Sequence, residues 1–279
     1  MDFSTPNING TNTKLEAAMT EEMDTRNLRC YQLEKTLHLA ASSTELCYHD
    51  CDFEEKKSIA LYIWYMFYVD DMASRDVDSF APFQQRFLRR SPQLDPVLTA
   101  FADLLLRMCD QYDTITANSI ISATFEFVNS TCIEPDLERM PLVQGVLRFP
   151  LFVRDRTGVS TSFALMLFPF SKKILVTGYI QALPDMIFWV SLSNDLLSFH
   201  KEELAGDTNN YVHIRALMEE KAPIEVLFEM GQELTLARQT IYKALAGSPT
   251  ATAAWLGFER GYVASHLAQK RYKLQDLGL

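Results

Sequence analysis

The run A-L-Y-I-W-Y-M-F-Y-V, residues 60 to 69, carries no charge, and the run Q-A-L-P-D-M-I-F-W-V, residues 181 to 190, carries one. Neither alternates apolar with polar residues as a half-buried strand does. Both sit in stretches whose apolar residues recur three and four apart, the period of a helix. A helix that is apolar on most of its faces belongs in the middle of a bundle. The rest of the chain agrees, because its 10 Gly and 11 Pro fall between long stretches of the same period. The pattern predicts helices over 53–75, 79–90, 94–112, 115–132, 138–155, 159–169, 173–202, 209–220, 223–246 and 249–272. With no strand-and-turn alternation between them, the expected fold is all-α, a single domain over residues 28–279. Residues 1–27 are polar and read as a flexible arm that becomes helical near Lys14. Ser91-Pro92, Asp95-Pro96, Glu134-Pro135 and Gly247-Ser248-Pro249 mark junctions, and Pro184 is expected to kink the 173–202 helix or shift its start.

Composition narrows the partners. Lys plus Arg is 26 against 36 Asp plus Glu, a formal charge of −10 spread along the chain, which argues against nucleic acid and against an anionic membrane surface. No uncharged apolar run is long enough to span a bilayer, and the first residues lack the basic start and apolar core of a signal peptide, so a cytoplasmic location is expected. The five cysteines contain no C-x-x-C pair and read as buried or free thiols.

Each of the two apolar runs ends in acid. The first stops at V-D-D-M-A-S-R-D, residues 69 to 76, placing Asp70 and Asp71 at the rim of whatever the helix is buried in. That is where a hard divalent cation finds oxygen ligands, and it is also where a core helix emerges into solvent. The second stops at V-S-L-S-N-D-L-L-S-F-H-K-E-E, in which Asn194, Ser198 and Glu202 stand four apart. At 3.6 residues per turn each step of four advances the position by about 40°, so the three form one stripe. An amide, a hydroxyl and a carboxylate oxygen on successive turns can converge on one cation while contributing a single negative charge. A magnesium ion so held keeps its electrophilicity and free sites for phosphate oxygens. A solvated stripe of Asn, Ser and Glu is the alternative for that motif alone; the two motifs together favour chemistry. Ile63 and Phe67 should share the Asp70 face, and Ile187 and Val190 the Asn194 face, as walls of a cavity.

D-D-M-A-S resembles the aspartate-rich motif of class I terpene cyclases, and N-D-L-L-S-F-H-K-E fits their second metal motif, (N/D)Dxx(S/T)xxxE, at every defined position. From about residue 50 to its end the chain is most similar to the fungal trichodiene synthase-like family, including the C-terminal segment F-E-R-G-Y-V-A-S-H-L-A-Q-K-R-Y-K-L. The resemblance implies a class I helical bundle around a central active-site cavity. It implies a magnesium-dependent sesquiterpene cyclase, with three Mg2+ ions, that ionises farnesyl diphosphate and cyclises the resulting carbocation. It favours a homodimer. Asp70 is then the leading metal-bridging aspartate, and Asn194, Ser198 and Glu202 ligate a further magnesium. Lys201, Arg271 and Tyr272 bind diphosphate. The stretch F-V-R-D-R-T-G resembles the helix-break element, with Arg154 as diphosphate sensor in preference to Arg156, Asp155 as linker and Gly158 as the break residue. One departure stands out: the family's first motif usually reaches a further acid after two or three residues, whereas here the next is Asp76, which leaves Asp71 and Asp76 without an assigned role. A related enzyme using another isoprenoid diphosphate or trapping the cation with water or another nucleophile, and a catalytically silent helical binding protein, are the rival readings.

Overall fold

The computed structural model describes residues 13–278, and all of its longer elements are helices, as the periodicity predicts. In chain order they are α1 (Thr13–Thr25), α2 (Tyr31–Cys47), α3 (Phe53–Met72), α4 (Val77–Phe80), α5 (Phe83–Leu88), α6 (Pro96–Met108), α7 (Thr114–Leu137), α8 (Phe149–Thr157), α9 (Ser160–Leu165), α10 (Leu183–Ala205), α11 (Tyr211–Glu219), α12 (Pro223–Leu245) and α13 (Pro249–Ala268). Short 3-10 turns follow α9 and α13. Among the described residues there is no strand, and no helix is long and apolar enough to cross a membrane.

α3 holds the first apolar run in the interior. Its start is fixed by a reciprocal cap: the Glu55 N–H donates to Asp52 Oδ1 at 2.9 Å and the Asp52 N–H to Glu55 Oε2 at 3.0 Å. Every residue from Ile59 to Met66 is buried. α2, α6, α7 and α1 pack against it, so each of its faces has a cover. Tyr62 shows how a polar atom is accommodated there, with its hydroxyl 2.8 Å from Thr124 Oγ1 and 2.9 Å from Ser162 Oγ. α10 is the second buried helix, packed on α12, α9, α8 and α11. α13 crosses α2 at Gly261, where a Cβ would run into the Leu46 carbonyl, so the backbones meet there with no side chain between them.

The structure corrects several expectations. Residues 13–25 are not an arm: α1 buries Leu15, Met19 and Met23, one apolar residue per turn, against α2 and α3. Residues 1–12, the rest of the expected arm, lie outside the described residues. α2 was not expected at all, because between Leu33 and Cys47 the residues it buries are small, Thr36, Ala40, Ala41, Ser42 and Thr44, which give little apolar contrast. Helix does not form over 138–148, where Pro141 and Gly145 intervene; instead α7 runs on to Leu137 and α8 starts with Pro150 in its first turn. The helix expected over 79–90 is divided at Pro82. Of the two outcomes expected of Pro184 the second holds: it does not kink α10 but lies in its first turn, and the helix starts at Leu183 instead of 173.

Candidate active site

The ends of α3, α7, α8, α10 and α13 surround a cavity of about 440 Å³. Asp70, in the last turn of α3, opens into it, and Ile63, Met66 and Phe67 continue the same face as apolar wall. From α10 come Asn194 and Glu202, two turns apart. The two acid-ended runs thus meet across one space, as their common ending suggested. Ser198 lies on the stripe between them but behind the surface: it is 2% exposed, and its hydroxyl donates to the Asp195 carbonyl at 3.5 Å.

Arg154 is the cation held most firmly. Its Nε is 2.7 Å from Asp195 Oδ1 and 2.8 Å from Oδ2, while Nη2 donates to the Ser191 carbonyl and to Asn194 Oδ1, both at 3.2 Å. Burial works against the guanidinium charge, but the neighbouring Asp195 carboxylate and its hydrogen bond outweigh it and hold the Arg154 pKa above its ordinary value. Arg154 sits where it does because α8 ends at the break between Gly158 and Val159. Val159, a β-branched residue, adopts φ 40° and ψ 17°, a left-handed conformation that costs energy and persists because Val159 is buried at 4% exposure. A Cβ on Gly158 would run into Arg154 Nη1, so the absence of a side chain there lets the guanidinium pass. The Gly158 carbonyl accepts from Ser160 Oγ at 3.1 Å. Arg156 turns away, its guanidinium 3.7 Å from the centre of the Phe152 ring.

Lys201, Arg271 and Tyr272 line the same end. The Lys201 ammonium is 3.6 Å from Glu202 Oε1 and 5.3 Å from the centre of the Tyr272 ring, and the Arg271 guanidinium is also 5.3 Å from that ring. Burial and the Arg271 charge push Lys201 below the usual ammonium value. Arg154, Lys201 and Arg271 therefore share the polar end with the carboxylates of Asp70, Glu134, Asp195 and Glu202. The Asp70 side chain is open to the cavity but enclosed by protein around it; this desolvation, with Asp71 adjoining, pushes its carboxyl up, against the pull of Arg271, Arg154 and Lys201.

Three residues of the site carried no assigned role in the sequence. Asp195 is the carboxylate partner of Arg154; Asp155, which the resemblance made the linker, has an exposed side chain. The signal was present, since Asp195 is the second letter of the N-D motif. Glu134, at the end of α7, lines the cavity and is pushed up to about 7 by burial, with Asp70 and Glu138 adding to it. His266 of α13 touches Asn194, with its Nε2 3.1 Å from Asn194 Nδ2. Its Nδ1 is 2.8 Å from the Tyr262 carbonyl, and burial lowers its pKa to about 4.

Other expected residues lie elsewhere. Ile187 and Val190 do not line the cavity. The Val190 carbonyl accepts from the Tyr262 hydroxyl at 3.3 Å, and Ser191 beside it is roofed by Ser160 at 2.7 Å and by Arg154, so this part of α10 is covered by α13 and the α8–α9 break. Tyr262, Phe258, Val153 and Phe163 supply wall in their place. Asp71 pairs outward with Lys35 at 2.6 Å, and Asp76 caps α4 by accepting from the Ser79 N–H. His200 lies 4.0 Å from Asp276. All five cysteines are free.

The donor set fits a hard cation. Among the described residues no three His, Cys, Asp or Glu side chains form a metal-binding group, so a cation would rest on mixed oxygens: the Asp70 carboxylate on one wall, the Asn194 amide and Glu202 carboxylate on the other. These are donors magnesium prefers. Positive charge between the walls would also relieve the raised carboxyls of Asp70 and Glu134.

The chain is 33% identical over 281 residues to terpene synthase BipA of Cochliobolus sativus, a match covering 98% of the chain and 86% of that protein. It is 30% identical to longiborneol synthase CLM1 of Gibberella zeae, covering 84% of the chain and 70% of that protein, and 29% identical to alpha-cuprenene synthase COP6 of Coprinopsis cinerea, covering 82% and 70%. Among solved structures, linalool/nerolidol synthase from Streptomyces clavuligerus in complex with 2-fluorogeranyl diphosphate superposes with a TM-score of 0.73 over 97% of the chain and 99% of that chain, at 14% identity. The fold is therefore that of the class I terpene synthases. The family model for trichodiene synthase (TRI5) matches residues 16–278, which takes in Asp70, the α10 stripe, the α8–α9 break and the Arg271-Tyr272 pair alike, and the chain belongs to that family.

Proposed function

We propose that the chain is a magnesium-dependent sesquiterpene cyclase acting on farnesyl diphosphate. One observation carries the reading: a single cavity has a polar end of carboxylates, an amide and three cations, and walls of aliphatic and aromatic side chains. That is the division of an isoprenoid diphosphate, a polyanionic head on an apolar tail. Its volume, about 440 Å³, suits one such molecule, since small-molecule pockets run from roughly 300 to 1,000 Å³.

Asp70, Asn194 and Glu202 would hold magnesium, and Ser198, on the same stripe of α10, is the further candidate oxygen. When bound, the metal neutralises the diphosphate and makes it a leaving group. Arg154, Lys201 and Arg271 donate to the diphosphate oxygens and stabilise the charge that collects there as the carbon–oxygen bond breaks. Asp195 keeps Arg154 aimed at that end. The allylic cation left behind faces Phe67, Phe258 and Tyr262, whose ring faces attract positive charge without reacting with it, each by about 0.5 to 2 kcal/mol. Ile63, Met66 and Val153 exclude water that would quench it. A distal double bond of the same chain attacks the cationic carbon to close a ring, which moves the positive charge to the ring system. Transfer of a proton from an adjacent carbon to the released diphosphate then gives a cyclic hydrocarbon.

The test is incubation of the purified chain with farnesyl diphosphate and Mg2+, with geranyl and geranylgeranyl diphosphate in parallel, followed by mass spectrometry of the organic extract. A C15 hydrocarbon formed only with Mg2+ is expected. No product from any of the three diphosphates sinks the proposal.

A further inference from the structure

Asn194 is the amide of the α10 stripe, and an amide has two faces of opposite chemistry. Its oxygen can ligate a cation and its NH2 cannot. Nothing in the intrinsic preference of an asparagine rotamer decides which of the two points into the cavity, so the neighbours must.

Besides Arg154, two ring residues meet the Asn194 side chain: Tyr272, whose hydroxyl can donate or accept, and His266, which can only accept. The Tyr262 carbonyl, 2.8 Å from His266 Nδ1, can only accept, so that nitrogen carries the hydrogen and Nε2 of the neutral ring presents its lone pair. That lone pair faces Asn194 at 3.1 Å and demands the NH2 group. Arg154 reports the same orientation from the other side: its Nη2, which can only donate, meets Asn194 Oδ1 at 3.2 Å. The imidazole has little freedom to turn. It is 5% exposed, with the Tyr262 ring centre 4.6 Å and the Tyr272 ring centre 4.5 Å from its own.

We propose that His266 is a positioning residue for the metal-binding stripe: by accepting from the Asn194 NH2 it fixes the amide with its oxygen toward the cavity. The inference rests on the functional reading above, in which Asn194 ligates magnesium. It assigns a task to α13 that reaches the cation site only through α10. Second partners of this kind typically change metal affinity by roughly ten- to a hundredfold when removed.

The experiment is calorimetric titration of the full chain with inorganic diphosphate at a fixed excess of Mg2+, with thermal unfolding as the check on folding. Against the parent, His266→Phe keeps a ring of similar size and removes the acceptor; its affinity is expected to fall roughly ten- to a hundredfold. His266→Leu, also without an acceptor, is read the same way. His266→Gln, which restores an acceptor, is expected to recover most of the loss. In the background of Asn194→Ala, His266→Phe should cost nothing further, because there is no amide left to orient. A folded His266→Phe or His266→Leu that binds as tightly as the parent overturns the inference, and so does an equal loss in the Asn194→Ala background. A parent chain that takes up no diphosphate with Mg2+ overturns the functional reading, and this inference with it; a parent that binds while the variants are unaffected overturns this inference alone.

Discussion

Asp70, at the end of its apolar run, and Asn194 and Glu202, two turns apart on one helix, were legible from residue type and spacing, whereas Arg154, Lys201 and Arg271 came only from the family resemblance; all six line one cavity. Asp195, Glu134 and His266 were not legible, because what makes each of them matter is a neighbour on another helix: Arg154 on α8 for Asp195, Asp70 on α3 for Glu134, Asn194 on α10 for His266. Ser198 was legible as a member of the stripe, yet the structure turns its hydroxyl to the helix backbone. Glu134 gives a prediction in pH. Its carboxyl is pushed from the ordinary 4.5 up to about 7 by burial, so between those values the folded chain binds a proton that the unfolded chain releases. Stability therefore falls as pH rises through that window, and the deficit persists above it. Glu134→Gln should unfold at a higher urea concentration than the parent at pH 8, by on the order of 1 to 3 kcal/mol, and should match it near pH 4. Equal gains at both pH values would contradict the assignment.

At the scale of elements, the helices best read from sequence were those with strong apolar contrast or a proline in the first turn, such as α6, α12 and α13. α2 escaped because most of the residues it buries are small, and what lets α13 come so close to it is Gly261. Gly261→Ala would place a methyl group against the Leu46 carbonyl, backbone against side chain with no flexible atom to yield. The variant should lose about 1 to 3 kcal/mol of stability, the range for an overpacked core, measured by urea unfolding. A variant as stable as the parent would mean that α2 and α13 are free to separate. The break between α8 and α9 was expected at Gly158, and it is there; the strained residue is its neighbour Val159, whose β-branched side chain gave no warning of a left-handed backbone.

For the whole molecule, the helical class was legible because every long stretch shared one period, and the cavity was not, because its wall depends on how helices cross. Ile187 and Val190 failed as wall residues for that reason: the helical wheel gave the right face, but α13 and Arg154 cover it. A cavity whose opposite walls carry carboxylates and cations should be held together by what binds between them. Inorganic diphosphate and Mg2+ together, each near a hundred times its dissociation constant, should stabilise the folded chain by about 2.7 kcal/mol and raise the unfolding temperature by roughly 5 °C or more, whereas either alone should move it little. Calorimetric scans check this, and equal shifts from Mg2+ alone would place the cation elsewhere. The same architecture sets which changes of length the chain can accept. The loops that join the helices around the site can grow at small entropic cost. α10 cannot, because one added residue between Leu183 and Glu202 turns everything beyond it by about 100°. Such an insertion would leave a well-formed helix whose stripe faces a neighbour instead of the cavity, so the segment tolerates substitutions on its packed faces far better than a change in the count of its residues.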